Sequence, residues 1–122
     1  MHTTTILNEH CSKKVGMLTD LEKALQNGVA SWKEIEYQSK TFWAFRDSAA
    51  PAKGYLCFVP TQNNTDSICK TLAAAYKWGQ AGVRAKHWTG FNIVQSVGLT
   101  AGQDITYPHI HMIPRYEGDM EC

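Results

Sequence analysis

The run Tyr107-Pro108-His109-Ile110-His111-Met112-Ile113 constrains this chain more than any other stretch. In an extended strand, side chains alternate between two faces. Tyr107, His109 and His111 then share one face, and Pro108, Ile110 and Met112 share the other. A phenol and two imidazoles stand in a row above an apolar underside. Pro108 has no N–H to give a ladder, so its place is an edge or a bulge. Just upstream, Gly98-Leu99-Thr100-Ala101-Gly102-Gln103 is a tight loop bounded by glycines, able to bring backbone N–H groups to an anion. On spacing alone, a His-x-His pair on a strand is more often surface decoration or a chance metal pair than a catalytic site. The neighbouring residues have to decide.

The rest of the chain supplies a frame for that strand. Residues 1–16 show little periodicity and read as a peripheral arm. Thr19-Asp20-Leu21-Glu22 fits a capping box, Leu18, Leu21 and Leu25 form an apolar stripe, and Gly28 is placed to end a short helix over about 19–27. Residues 32–37 alternate and 41–46 are aromatic-rich, which predicts a hairpin turning at 38–40. The apolar run 54–60 reads as a buried central strand. Asn64 or Thr65 can cap a long helix to about Gly79, with Ile68, Leu72, Ala75 and Tyr76 on its apolar face and Asp66 near its positive end. Strands over 91–97 and 105–113 follow, and 116–122 make a polar tail. The order is a small helix and then β-β-β-α-β-β. This predicts an α+β domain, with one long and one short helix on a five-stranded antiparallel sheet.

Composition bounds the function. The chain has 122 residues, enough for one domain, and 43% of them are hydrophobic. A formal net charge of +1 argues against a surface that coats nucleic acid. The aromatic and basic residues between Tyr76 and Trp88 read as a helix end and its loop instead. No apolar run is long enough to span a bilayer, and no signal-peptide pattern leads the chain. Cys57 and Cys69 fall in apolar patterns and read as buried thiols. No C-x-x-C pair is present among the four cysteines. The expected setting is a reduced cytoplasm.

Gly102-Gln103 lies six residues before His109, and Ile113-Pro114-Arg115 closes the motif. With Gly90-Phe91-Asn92-Ile93 and the Gly98 loop, this stretch resembles the histidine-triad (HIT) family of nucleotide-binding hydrolases and transferases. Its pattern is His-φ-His-φ-His-φ-φ, with φ apolar. The likeness is strong over the C-terminal third and extends more weakly back to about Thr41. Two positions depart from it: Tyr107 stands where the first triad histidine belongs, and Pro108 fills an apolar slot. Many family members bind zinc through an N-terminal C-x-x-C, which the His10-Cys11 region lacks. The Lys-Lys-His that often follows the third strand is replaced by Thr61-Gln62-Asn63-Asn64.

The resemblance implies a homodimer, and a purine nucleotide or nucleoside phosphate as substrate, with no metal or other cofactor. It makes His109 the nucleophile toward an α-phosphorus, giving a nucleotidyl-histidine intermediate that water cleaves. His111 and Gln103 would hold the phosphate oxygens in the transition state. Asp47 falls where the family binds ribose hydroxyls, and a carboxylate suits a diol because it accepts two hydrogen bonds. Ser96 falls where relatives face the phosphate with a longer amide. Gly102, Asp104 and Tyr107 complete the substrate-binding set. The expected picture is His109 projecting into a glycine-rimmed cup, with His111 beside it. Two alternatives differ in class. One is a nucleotide-binding module without turnover. The other is a metal protein, in which Asp104 or His87 would have to join His109 and His111.

Overall fold

A computed structural model describes residues 17–29, 32, 34–46 and 53–119. It contains helix α1 (Asp20–Gln26), strands β1 (Glu34–Gln38), β2 (Phe42–Arg46) and β3 (Leu56–Pro60), helix α2 (Thr65–Arg84), strand β4 (Gly90–Val94), a 3₁₀ turn at Leu99–Ala101, and strand β5 (Ile110–Arg115). The five strands form one antiparallel sheet in the order β1-β2-β3-β5-β4. The sequence-derived α+β architecture is therefore the one observed. The arm at 1–16, Asp47 and the last three residues lie outside the described residues.

β3 is central and buried along its whole length, as expected of a strand covered on both faces. Its alternation separates two cores. Leu56 and Phe58 join Ala44, Ile110 and Met112 beneath Ala75 of α2. Cys57 and Val59 face the other way and join Trp43, Phe45 and Tyr107, with Leu21 and Ala24 of α1. The Tyr107 hydroxyl donates to the Pro60 carbonyl at 2.8 Å inside this second core. Trp43 and Phe45 are thus core residues.

The capping box forms as read: Glu22 N–H donates to Thr19 Oγ1, and Thr19 N–H donates back to Glu22 Oε1 at 2.9 Å. Asn64 caps α2 by accepting from Ser67 N–H at 2.8 Å. α2 then passes Gly79, the expected stop, and runs on to Arg84. Gly79 and Gly82 are buried contact points rather than terminators. A Cβ on Gly79 would meet the Phe91 ring at 2.5 Å, and one on Gly82 would meet Trp88 at 2.0 Å. The Trp88 indole N–H also donates to the Gly79 carbonyl, at 3.0 Å. The helix ends where Lys86 takes a positive φ of 63°. Cys69 faces solvent rather than the core.

The last two strands are shorter than the alternation suggests. β4 stops at Val94, whose register partner is His111. β5 begins only at Ile110. Pro108, which has no N–H for a ladder, lies just upstream of β5. Tyr107 and His109 therefore lie on the approach to β5, not within it.

Two stability changes follow. Gly82→Ala gains about 1 kcal/mol of helix propensity, but overpacking against Trp88 costs about 1–3 kcal/mol. Urea denaturation should show net loss, whereas Gly90→Ala, with open space at its Cβ, should lie close to wild type. A Gly82→Ala protein as stable as wild type would contradict this packing. Tyr107→Phe should cost about 1–2 kcal/mol at pH 7 by removing the bond to Pro60. Burial, and then the charge of Asp20, raise the Tyr107 phenol above its ordinary value. A raised folded value means that stability tied to the protonated phenol is complete below about pH 10 and is lost as pH rises toward the folded value. Denaturation midpoints of wild type and variant should converge at pH 11; a gap unchanged from pH 7 would rule this out.

Candidate functional site

The sheet face opposite α2 carries the two histidines. Cys57 and His111 are register partners across β3 and β5, so their side chains lie on one face. His109 shares that face. The two imidazole rings are 5.1 Å apart and nearly perpendicular, at 89°. Trp32 covers His109 from the other side at 5.5 Å. The result is more enclosed than an open cup: His109 is 7% exposed, whereas His111 is half-buried.

Each ring is oriented through its Nδ1, by different partners. His109 Nδ1 lies 2.9 Å from the carbonyl oxygen of Tyr107. A carbonyl only accepts, so the neutral ring carries its proton on Nδ1 and keeps a lone pair on Nε2. That Nε2 has no hydrogen-bonding partner among the described residues. His111 Nδ1 is 2.8 Å from the Tyr55 hydroxyl, and the two rings meet edge to face at 5.6 Å.

Tyr107 therefore meets His109 through its backbone. The Tyr107 carbonyl positions His109, while its side chain packs in the core and binds Pro60. Its burial-raised value keeps the phenol neutral at physiological pH.

The glycine loop upstream of Tyr107 is held together by one side chain. Gln103 Oε1 accepts from Gly98 N–H at 2.8 Å, and its Nε2 donates to the carbonyls of Ile105 and Thr106 at 2.9 and 3.0 Å. The amide ties both ends of the loop and leads directly into Tyr107. The N–H groups of Ala101, Gly102 and Gln103 are bonded within the loop too. Gly98 (φ 90°) and Gly102 (φ 95°) hold left-handed conformations that favour glycine. Ser96 Oγ would lie 3.9 Å from a Cβ at Gly102, so these two expected site residues are neighbours. Asp104 is exposed on the loop. Asp47 lies outside the described residues.

Sequence reading missed Trp32 and Tyr55. Tyr55 was legible in principle: it precedes Cys57 by two, so it shares that residue's face and lies diagonal to His111 once β3 and β5 pair. Trp32 gave no such signal, because it precedes β1. Among the described residues no three His, Cys, Asp or Glu side chains gather closely enough to hold a metal ion. No described helix is long and apolar enough to cross a membrane.

A scan against protein-family models finds no match. The chain is 30% identical over 95 residues to an uncharacterized HIT-like protein of Methanocaldococcus jannaschii, spanning 72% of this chain and 73% of that protein. Its fold is similar to that of a HIT-like protein from Bartonella henselae, described as involved in cell-cycle regulation. That likeness has a TM-score of 0.64 and 23% identity, over 82% of this chain and 81% of the other. It is also similar to a hypothetical histidine triad nucleotide-binding protein from Sulfolobus tokodaii, with a TM-score of 0.60 and 22% identity, over 80% and 68%. At these identities the two structures speak for the fold. The sequence relative goes further: at that identity and coverage, this chain belongs to the HIT-like family.

Proposed function

We propose that this protein binds a purine nucleotide or nucleoside phosphate and acts at its α-phosphate, as a cytoplasmic hydrolase or nucleotidyl transferase. A nucleoside phosphoramidate or a dinucleoside polyphosphate is the substrate class. The observation that carries the reading is the Nδ1 of His109 held against the Tyr107 carbonyl at 2.9 Å. It leaves an imidazole with its lone pair on Nε2, as a nucleophilic histidine requires.

In the proposed reaction, His109 Nε2 attacks the α-phosphorus. A nitrogen–phosphorus bond forms, and the bond to the amine or phosphate leaving group breaks. An amine leaving group departs with a proton taken from solvent, which the attacking water returns in the next step. Water then attacks the same phosphorus, releasing the mononucleotide and restoring the imidazole. His111 meets the phosphate oxygens, and Gln103 serves by holding the loop closed. Gly102, Ser96 and Asp104 line the anion's side, Asp47 takes the ribose hydroxyls, and Tyr107 contributes its carbonyl. The relative from Sulfolobus tokodaii, titled nucleotide-binding, supports the ligand class.

A homodimer completes the proposal. β4 is an edge strand, and such edges are normally paired or covered. The groove beside it is lined by Tyr76, Val83, Phe91 and Ile93, with Tyr76 and Val83 exposed, as is nearby Val94. Sedimentation should give twice the chain mass, and Val83→Glu should shift it toward monomer. A monomeric wild type at micromolar concentration would refute the dimer.

One observation favours a second reading: the enclosure of His109, together with loop N–H groups already bonded, suits a nucleotide-binding module with little turnover. An assay with adenosine phosphoramidate and a dinucleoside polyphosphate separates the two. The enzyme releases mononucleotide, and His109→Ala lowers the rate by at least about a thousandfold. If neither substrate is cleaved but calorimetry detects mononucleotide binding, the module is correct. If neither cleavage nor binding occurs, both readings fall.

A further inference from the structure

The two histidines differ in what their Nδ1 atoms face, and that difference assigns a residue outside the motif. His109 faces a carbonyl, which only accepts. His111 faces the Tyr55 hydroxyl at 2.8 Å, which can donate or accept. We propose that Tyr55 is a positioning residue that donates to His111 Nδ1, so that the neutral ring carries its proton on Nε2. His109 then offers the substrate a lone pair while His111 offers it a hydrogen-bond donor. The proposal rests on the nucleotide reading above and deepens it by naming what sets the second histidine's role.

Three observations support it. A phenol O–H is a stronger acid than the N–H of a neutral imidazole, so the hydroxyl is the natural donor in this pair. If His111 instead kept its proton on Nδ1, both histidines would present lone pairs, and no imidazole donor would face an anionic phosphate. Finally, the geometry leaves Tyr55 little choice of orientation. It immediately precedes β3, on the face of Cys57, whose register partner is His111. Its ring meets that imidazole edge to face at 68°. The hydroxyl is thereby directed along the ring edge that carries Nδ1.

The division of labour also explains how a site with a tyrosine at the first triad position can still present unlike histidines. Tyr107 serves through its main chain and leaves its hydroxyl with Pro60. Tyr55 serves through its side chain.

The test is a long-range ¹⁵N–¹H correlation spectrum of the full chain near pH 8, with His111 assigned by comparison with His111→Asn. In wild type, His111 should show a protonated Nε2 and an unprotonated Nδ1. In Tyr55→Phe, which keeps the ring and loses the hydroxyl, the two nitrogens should move toward the averaged shifts of exchanging tautomers. With adenosine phosphoramidate, Tyr55→Phe should lower kcat about tenfold, the scale of one lost hydrogen bond, with KM changed less. A proton on His111 Nδ1 in wild type overturns the proposal, and this measurement needs no variant to fold. A tautomer unchanged in Tyr55→Phe overturns it as well. The expected tautomer shift in a protein that cleaves no phosphoramidate supports the positioning role and removes only the hydrolase reading.

Discussion

The pairing of β3 with β5 is the contact on which the rest of the molecule depends. It comprises three register pairs: Leu56 with Met112, Cys57 with His111, and Phe58 with Ile110. Ile110 and Met112 are fully buried under α2, and that burial pins the register. A slip of one residue would exchange the faces of the strand. It would drive His111 beneath the helix and expose Met112, a loss of roughly 1.5–3 kcal/mol for each large apolar side chain brought to the surface. The apolar side of the motif thus selects the register, and the polar side receives its position as a consequence.

Two further parts depend on that register. Tyr107 packs against Trp43, Phe45 and Val59 on the face away from α2, and its anchorage to Pro60 fixes the carbonyl that orients His109. The glycine loop is held by Gln103, whose amide uses both its acceptor and its donors on main-chain groups of the loop. An ester or acid of similar size could not do both. The strand and the tyrosine therefore converge on one imidazole through the main chain. The geometry is preorganised before any ligand arrives.

Much of this was legible in the residues, and the exceptions have physical causes. The capping box at Thr19 and Glu22 formed because its partners are three residues apart, and local spacing decides such bonds. The central strand was legible because five successive residues are buried. Gly79 misled because a glycine in a helix can mark either a stop or a close approach. Only the position of the Phe91 ring distinguishes the two, and no local pattern encodes it. Cys69 misled because it follows Ile68, which packs on the core, while its own face is not covered. The motif strand begins only at Ile110, later than the alternation suggests, and the end of β4 depends on how it pairs with β5, which local alternation does not encode. The His109–His111 pair was legible as a pair. Its contacts with Trp32 and Tyr55 depend on tertiary placement and were not.

If Tyr107 occupies the place of a triad histidine, the exchange changes the charge available to the site more than its shape. A phenol is neutral or negative and carries a positive charge in no protonation state. Tyr107 and Tyr55 hydrogen-bond the histidines, and neither brings a cation to an incoming phosphate. In the reaction proposed above, the imidazoles and main-chain dipoles are sources of positive potential for it. In that proposed reaction His109 cannot supply that potential as the nucleophile, since attack requires its lone pair. The burden falls on His111, the more exposed of the two rings and the one whose Nδ1 contacts a hydroxyl able to reverse its direction. If His111 takes up a second proton, its Nδ1–H can donate to the Tyr55 oxygen without moving the ring, because the hydroxyl accepts as readily as it donates. The carbonyl on His109 permits no such exchange of roles. The chain thus places its fixed partner on the ring that must keep one protonation pattern, and its adaptable partner on the ring that must respond to charge.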